Sequence, residues 1–527
     1  MNYKLLGKIL GKIMILEGIL MVAPLIVSIV YKEYSKNTIV SYGISSVGIQ
    51  YGGIKYILAF LIPIIVLITI GFLLQKPKPQ RKSLYQKEGF ALVALVWIVM
   101  ALFGAIPFVI NGDIPNYIDA CFEITSGFTT TGASIIDDIT GMSHSTLFWR
   151  SFSHWIGGMG ILVFVLIFIP ESKDGSAMHL LRAESPGPQV GKIVSKMRAT
   201  ARILYLIYLG LTVLEVVILM CAPIVDFSAT DALGIDYRGE RFFHALLTSF
   251  GSAGTGGFGF IPNSMEFFTP FAQYTISIFL LLFGCNFTLY YLILIGKIKD
   301  VLRSEELKTY IFMFVGAIAI IFVNLLTTLE KLDFVSGEQS FRYALFQVAS
   351  IITTTGFTTQ NFDLWPMLSK SVLVILMFTG AMAGSTAGGI KTSRIVIAFK
   401  GLYINIRKLI NPRYVPKAKF EGKSLEEKTT NNVFSFITLY FFIIIGVTFV
   451  LSFDSNVGEG HGFFSNFSSA LACISNIGPG FEAVGPYLSF SSYNWLSKIV
   501  LTLTMLIGRL EILPILILFS PRTWKKR

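Results

Sequence analysis

Long apolar runs alternate with short polar stretches along most of the chain. Nearly uncharged runs occupy 12–31, 55–74 and 90–110, and a helix needs about 20 apolar residues to cross a bilayer core. The short alternating segments of an outer-membrane barrel are missing from this pattern. The first run is too long for a cleaved signal peptide and lacks a small-residue cleavage pattern, so we interpret it as a span. The pattern predicts an all-α polytopic membrane protein.

After the first two spans, one pattern recurs four times. Each unit has a long apolar run, a loop, a shorter semi-apolar segment, a polar turn with glycine, and a second long run. The first runs lie near 89–110, 201–223, 309–329 and 433–453; the short segments near 117–128, 241–254, 341–351 and 463–474; the turns at 129–134, 255–260, 353–359 and 475–482; and the second runs near 146–170, 271–296, 370–390 and 494–519.

The short segments are too short to cross a bilayer, and glycine ends each of them. Irregular backbone at membrane depth is tolerated only where protein or a water-filled cavity surrounds it. We therefore predict four units of span, re-entrant pore helix and span in a pseudo-fourfold arrangement, plus two extra N-terminal spans, giving ten crossings. The predicted regions are an N-terminal pair of helices (1–80), repeat 1 (81–180), repeat 2 (181–300), repeat 3 (301–400), a basic linker (401–430) and repeat 4 (431–527).

The net charge of +12 does not point to a nucleic-acid partner. The basic residues concentrate in the loops 76–87, 297–308 and 391–428 and in the C-terminal tail, where they set orientation in the membrane. This distribution predicts a multi-pass protein of the cell inner membrane with both termini in the cytoplasm. The four cysteines show no metal-ligand spacing, so we expect neither a disulfide nor a cysteine metal site.

Threonine and glycine in the polar turns suggest a function for the units. The turns "TTTGAS" (129–134) and "TTTGFTT" (353–359) resemble each other, and each unit has a glycine at the matching place. Four such loops around one axis would form a ring of backbone carbonyls that can replace the hydration shell of a monovalent cation. The alternative is an ordinary polar loop between helices. The predicted filter residues, which would bind the cation, are Thr130, Thr131, Gly132, Gly256, Gly257, Thr354, Thr355, Gly356, Asn476, Ile477 and Gly478.

A glycine-rich segment, "GAMAGSTAGGIKT" (380–392), interrupts the second run of the third unit. Its small residues could simply permit close helix packing. The alternative is a flexible loop below the filter that blocks the pore. Arg509 lies in an apolar run, where a charge usually faces a cavity or a partner, and Glu511 is poorly spaced to be that partner. The predicted gate consists of Gly384, Ser385, Thr386, Ala387, Gly388, Gly389 and Arg509.

Other polar residues receive simpler interpretations. We expect Lys391 and Arg394 to be basic anchors at the cytoplasmic interface. Glu123 either attracts cations or braces the filter, and we favour bracing. Asp113 and Asp119 are interpreted as solvated charges at the pore mouth, and His154 as a packing residue.

The chain resembles the Trk/Ktr/HKT superfamily of potassium transporters, and within it the TrkH family of potassium uptake proteins. The resemblance covers nearly the whole chain and rests on "SGFTTTGAS" (126–134), "HWIGGMGI" (154–161), "AESPGP" (183–188), "GCNFTLYY" (284–291), "TTTGFTT" (353–359), "MAGSTAGGIKTSR" (382–394), "NIGPGF" (476–481) and "LIGRLEILP" (506–514). It implies a homodimer with one pore per subunit, K⁺ as the transported ion, and a cytosolic TrkA-like ring of nucleotide-binding subunits that gates the pore.

The resemblance also assigns residues. It makes Gly132, Gly257, Gly356 and Gly478 the filter glycines and places Arg509 against the glycine-rich loop in the closed pore. Glycine rather than serine at 132 leans toward potassium over sodium. The second unit departs from the threonine-rich form, so the detail of its ion coordination is open.

Two other classes of protein remain as rivals. A secondary transporter that couples K⁺ to H⁺ or Na⁺ could use the same filter, although inverted repeats and intramembrane carboxylates are usual in that class. An intramembrane enzyme would need a nucleophile–base pair or metal ligands, and the five histidines form no such motif. No Walker or Rossmann motif occurs, so we expect no bound organic cofactor, and any nucleotide control must come from a partner.

Overall fold

The structure is a computed structural model of the chain. It describes residues 1–35, 38–40, 49–51, 53–77, 85–160, 197–226, 240–329, 337–411, 417–454 and 462–524. The "AESPGP" segment and the end of the predicted run 146–170 lie outside these residues. The described part is mostly helical, as predicted, and its strands form two antiparallel hairpins. These pair β1 (Thr38–Val40) with β2 (Ile49–Tyr51), and β3 (Lys419–Phe420) with β4 (Lys423–Ser424).

The two leading spans form a tightly packed pair. Helices α1 (Tyr3–Leu20) and α2 (Val22–Val30) make up the first span, and α3 (Lys55–Gln75) makes up the second. Gly11 and Gly71 face each other where α1 meets α3, and a methyl group added at Gly11 would lie 2.5 Å from the Gly71 carbonyl oxygen. Such small residues let two membrane helices approach closely.

Each of the four units has a first helix, a short helix and a second helix, in the predicted order. The first helices are α4 and α5 together (Gln86–Gly104, Ile106–Asn111), α8 (Met197–Met220), α13 (Glu305–Leu329) and α17 (Glu427–Leu451). The short helices are α6 (Tyr117–Phe128), α9 (Arg241–Gly254), α14 (Gly337–Ile352) and α18 (Phe463–Ser475). The second helices begin with α7 (His144–Gly158), α10 (Pro270–Phe283), α15 (Met367–Phe378) and α19 (Trp495–Arg509).

Further helices follow within or after the units. They are α11 (Phe287–Leu294), α12 (Ile298–Arg303), α16 (Thr392–Ile410), α20 (Leu513–Phe519) and α21 (Pro521–Trp524). Two single 3₁₀ turns, Phe362–Leu364 and Glu482–Val484, lie after the polar turns of units 3 and 4.

Within the described residues, six segments are long and apolar enough to span a membrane. They are Tyr3–Val30, Lys55–Gln75, Lys87–Asn111, Ala199–Met220, Glu305–Thr328 and Glu427–Leu451. These correspond to the two leading spans and the four first helices. The remaining four of the ten predicted crossings are the second helices, and those of units 2, 3 and 4 are each divided into two helices.

In units 2, 3 and 4 the second helix breaks near its middle. In unit 2 the break bends the chain by 89° between α10 and α11, with the side chain of Asn286 capping the Thr288 N–H at 2.8 Å. In unit 4 the break falls at Glu511 and Ile512, which both have positive φ. The predicted runs 271–296 and 494–519 are therefore each divided into two helices. Apolar composition alone does not reveal these breaks, since both halves of each run remain apolar.

The short helices lie at the centre of the protein. Their buried residues belong to one large apolar core that joins all four units, with Trp97, Trp149 and Phe128 among its largest fully buried side chains. Trp149 also donates to the Gly104 carbonyl at 3.0 Å. Surrounding protein therefore encloses the irregular backbone that follows each short helix, as membrane depth requires.

Candidate functional site

All four short helices end in the same way. The residue after each helix, or one beyond it, lies in the left-handed region: Thr130, Thr255, Thr354 and Asn476 have φ of 55°, 53°, 54° and 56°. The next N–H then bonds back into the last turn of the helix, at 2.8 Å in units 1 to 3 and 3.0 Å in unit 4. This is the bonding of a Schellman cap. A β-branched residue rarely adopts positive φ, so three threonines in this state are strained, as is common at functional sites.

Each filter glycine predicted from the sequence follows two residues later, also with positive φ. The values are 82° at Gly132, 83° at Gly257, 86° at Gly356 and 100° at Gly478. At each of them a methyl group would collide with the backbone of the next unit. The carbonyl oxygens in the way belong to Gly256, Thr355, Ile477 and Thr131, in that order. The four contacts therefore run from unit to unit and close into a ring.

The ring presents backbone carbonyls without partners. Among the described residues, the carbonyl oxygens of Thr131, Gly256, Thr355 and Ile477 accept no hydrogen bond, although all four residues are buried. An orphaned buried carbonyl is costly, and most such groups are paired. Four of them around one axis form a set of hard oxygen ligands, which suits a cation with little preference for geometry.

The hydroxyls of the turns serve instead as braces. Thr129 and Thr131 share a hydrogen bond at 2.8 Å, and Thr353 and Thr355 share one at 2.8 Å in the matching place. In unit 4, the Asn476 amide donates to the Thr131 Oγ1 at 2.9 Å and so ties units 4 and 1 together. Thr255 is the one left-handed residue that the sequence prediction omitted. Its spacing of two residues before Gly257 could have revealed it.

A cavity of about 280 Å³ lies against the ring. All four ring glycines line it, together with Asp137 and Arg150. A hydrated ion could therefore reach all four loops from this cavity.

Glu123 and Arg150 form a buried ion pair behind loop 1. The Arg150 Nε lies 2.5 Å from the Glu123 Oε1, and both side chains are almost fully buried. The Glu123 Oε2 also accepts the Ile135 N–H at 2.8 Å, and Arg150 donates to the Gly259 carbonyl of loop 2 at 3.0 Å. The pair thus holds the loops of two units, as expected for a bracing Glu123.

His154 is a packing residue, as predicted. Its Nδ1 lies 2.8 Å from the Gly127 carbonyl, and its Nε2 lies 3.3 Å from the Phe258 N–H. The imidazole thereby connects the end of short helix α6 to loop 2. These contacts satisfy both nitrogens within the fold.

The glycine-rich segment forms an irregular loop between α15 and α16, here called the unit 3 loop (residues 379–391). It lies directly beneath the ring, since the Gly388 N–H donates to the Thr354 Oγ1 at 2.6 Å. Its edges meet in a parallel bridge between Thr379 and Ile390. It also contacts the break in unit 2, where the Met382 N–H donates to the Gly284 carbonyl at 3.1 Å.

Arg509 reaches the unit 3 loop from unit 4. It donates to the Thr386 carbonyl at 2.8 Å and to the Gly158 carbonyl of unit 1 at 2.9 Å, and it contacts the Gly157 carbonyl as well. One guanidinium group therefore connects three units below the ring. The predicted gate residues Gly384, Ser385, Thr386, Ala387, Gly388 and Gly389 all lie in this loop.

The expectation about Arg394, one of the two basic residues near the unit 3 loop, is wrong. Arg394 is not an interfacial anchor: it is 4% exposed, forms an ion pair with Glu511 and lies 4.0 Å from the Phe436 ring centre. Lys391 bonds to the Ala387 carbonyl within the unit 3 loop. The physical reason is that the break in unit 4 turns Glu511 toward unit 3, where it neutralises Arg394.

The acidic residues at the predicted mouth are also partnered. Asp119 pairs with the buried Lys498 at 2.9 Å, and Asp113 accepts from the Ser143 hydroxyl at 3.3 Å. Burial raises the pKa of Asp113 to about 6. The prediction that Asp113 and Asp119 are freely solvated charges is therefore wrong.

The fold and the ring define a class, a membrane protein built for the passage of a cation. Comparison with known proteins then gives the family. The model of the TrkH family, described as cation transport protein, matches residues 56–526, and the chain belongs to this family. The protein is therefore a transporter and not an enzyme.

Individual relatives are similar to the chain over nearly their full length. The chain is 32% identical to the Trk system potassium uptake protein TrkH of Escherichia coli K12, with complete coverage of both chains. It is 29% identical to TrkG of the same strain, with 98% of this chain and 97% of the relative covered. The crystal structure of the potassium transporter TrkH from Vibrio parahaemolyticus matches all of the chain with a TM-score of 0.79 at 29% identity.

Proposed function

We propose that the chain carries potassium ions into the cell across the cytoplasmic membrane, through a pore on the axis of the four loops. The observation that carries the proposal is the ring of four unpartnered carbonyls, those of Thr131, Gly256, Thr355 and Ile477. Relatives over the full length are named potassium uptake proteins, which favours K⁺ as the ion. The ion is the substrate, and the filter residues predicted from the four polar turns would bind it.

The ring contacts explain why glycine is required. A side chain on Gly132 would displace the carbonyl of Gly256, one of the four proposed ligands. It would also strain a backbone with φ of 82°. We therefore expect any substitution there to distort two units at once.

The test is ion flux in proteoliposomes with K⁺, Rb⁺ and Na⁺. Gly132→Ser should lower the preference for K⁺ over Na⁺ by about tenfold, the effect of a change of about 1.4 kcal/mol at the ring. Gly446→Ala is the matched control, because a methyl group at Gly446 meets no atom within 4 Å. Unchanged selectivity in Gly132→Ser, with normal flux in the control, would count against the ring as the filter.

We further propose that the unit 3 loop is the gate and that Arg509 holds it closed. The hydrogen bonds to Thr354 above and from Arg509 below support this role. A variant lacking residues 384–389 should conduct faster than the intact protein, and Arg509→Gln should do so to a smaller extent. Flux that is insensitive to both changes would refute the gate.

The remaining parts of the proposal concern orientation and partners. The basic loops support a cytoplasmic location for both termini. The resemblance to the TrkH family supports a homodimer and a cytosolic TrkA-like nucleotide-binding ring. Native mass spectrometry of the purified protein with and without that ring tests both, and a monomer that binds no ring would contradict them.

A coupled transporter that uses the same ring is the second candidate. It is favoured by two fully buried carboxylates inside spans, Glu17 and Glu215. Intramembrane carboxylates are costly and commonly relay protons. Coupling predicts that K⁺ uptake moves protons and that Glu215→Gln abolishes this movement, whereas a passive pore predicts K⁺ flux without it.

A further inference from the structure

A carboxylate from the first helix of unit 3 reaches into the unit 3 loop. Glu306, in the first turn of α13, is 2% exposed. Its Oε1 accepts the Ala383 N–H at 2.7 Å and the Ser393 N–H at 3.1 Å. Ala383 lies in the first half of the loop, and Ser393 lies just beyond its end. One oxygen atom therefore ties together the entry and the exit of the loop.

The two hydrogen bonds to the Glu306 carboxylate are stronger than bonds between neutral groups. Hydrogen bonds to a carboxylate are about twice as strong as neutral ones. The Ser393 N–H also belongs to the first turn of α16, where the helix dipole favours a negative charge. Without the carboxylate, two buried N–H groups would lose their acceptor, so the loop would lose its fixed position near its ends.

A second carboxylate holds the helix end that carries Glu306. The Oε1 of Glu421 accepts the Ser304 hydroxyl at 2.8 Å and the Glu306 backbone N–H at 3.1 Å. Glu421 occupies the turn between β3 and β4, where it and Gly422 both have positive φ. Phe420 of the same hairpin packs against Ile397 of α16.

The contacts thus form a continuous chain from the linker to the loop. The hairpin belongs to the linker predicted to be cytoplasmic, Glu421 joins it to the start of α13, and Glu306 joins α13 to the loop. We propose that Glu306 is the positioning residue of the unit 3 loop and that the β3–β4 hairpin controls the loop through it. For its effect on ion flux, this inference rests on the proposed role of the loop as the gate.

The test measures the position of the loop directly and separately from flux. Ser385→Cys is introduced into full-length protein whose four native cysteines are replaced, and its rate of modification by a water-soluble thiol reagent is followed in proteoliposomes. Glu306→Ala removes both hydrogen bonds and should raise this rate by about tenfold or more, since the loss of even one hydrogen bond to a charged group has an effect of about that size. Glu306→Gln keeps an acceptor oxygen and should give a smaller increase.

Two further variants sharpen the result. Glu305→Gln is the matched control, because the Glu305 carboxylate pairs instead with the half-exposed Lys400 at 2.5 Å. It removes the same charge one residue away and should leave the modification rate within about twofold, because exposed pairs contribute little. Glu421→Gln should raise the rate, but it should add nothing to Glu306→Ala, since the hairpin acts through Glu306.

The outcomes separate the two proposals. A modification rate in Glu306→Ala and Glu306→Gln equal to that of Glu305→Gln overturns the inference, even if deleting 384–389 increases flux. A faster rate in the Glu306 variants without any increase in flux supports the inference and counts against the loop as a gate. Variants that merely unfold are identified by their elution in size-exclusion chromatography, and Glu306→Gln then carries the test.

Discussion

The ion pair behind loop 1 allows a quantitative test of how the ring is supported. Glu123 is fully buried and Arg150 is 2% exposed, so removal of either partner leaves a buried charge without compensation. Such a loss costs about 3–5 kcal/mol. Replacing both residues by apolar ones of similar volume is often close to neutral. We therefore expect Glu123→Leu and Arg150→Met each to destabilise the protein strongly, and the double variant to cost much less than their sum.

The assay is a double-mutant cycle of the unfolding free energy, measured by denaturant titration in mixed micelles. The Glu305–Lys400 pair provides the control cycle, because both of its side chains are more than a third exposed and the expected coupling is only about 0–1 kcal/mol. A coupling for Glu123 and Arg150 no larger than that of the control would refute the reasoning.

The same pair should influence ion selectivity. Glu123 accepts the Ile135 N–H at 2.8 Å, three residues beyond Gly132. Glu123→Gln should therefore loosen loop 1 and lower the K⁺ over Na⁺ preference in proteoliposomes, with a smaller effect than Gly132→Ser. Normal selectivity together with a large loss of stability would show that the pair supports the fold but not the ring.

Three other predictions use the same titration. Gly11→Ala should destabilise the protein by about 1–3 kcal/mol, because its methyl group would lie 2.5 Å from the Gly71 carbonyl oxygen. The control Gly446→Ala should be neutral or stabilising. Equal effects of the two substitutions would contradict the close packing of α1 on α3. Glu17→Met should stabilise the protein by about 1–3 kcal/mol, since both carboxylate oxygens of Glu17 are buried without a hydrogen-bond partner among the described residues. A loss of stability would contradict this and would indicate that the carboxylate has a favourable interaction in the folded protein. Burial raises the pKa of Asp113 from 3.8 to about 6, so the native state binds this proton more tightly than the unfolded chain and gains stability as the pH falls from 7 to 5. Asp113→Asn should lack this gain. Identical pH dependence of stability in the variant and the parent protein would contradict the prediction.

Three of the four short helices were predictable from the sequence to within one residue, whereas the helix of unit 3 begins earlier than predicted, at Gly337. Tyr117–Phe128 and Arg241–Gly254 have the predicted ends, because polar turns with glycine delimit them locally. The alignment of one glycine per unit also placed all four ring glycines. These features depend on local composition and on repetition, which a single sequence displays.

The breaks in the second helices of units 2 and 4 were not predictable in the same way. The run 494–519 is uncharged except at Lys498, Arg509 and Glu511, yet the helix ends at Arg509. What fixes the break is the set of partners across the axis: Arg509 bonds to Thr386 and Gly158, and Glu511 pairs with Arg394. Sequence reasoning placed Arg394 at the membrane interface because it had no means of identifying Glu511 as its partner.

The amino-acid sequence was enough to determine the helical class, the four repeated units and their order, and the four turn glycines that have positive φ. Hydrophobic period, run length and glycine content are local properties, and each unit repeats them. Only the tertiary structure decided which groups meet, such as Glu306 with Ala383 and Ser393, or Gly132 with the carbonyl of Gly256. Those contacts join residues far apart in the chain, and their energy depends on distances that exist only once the four units have packed around a common axis.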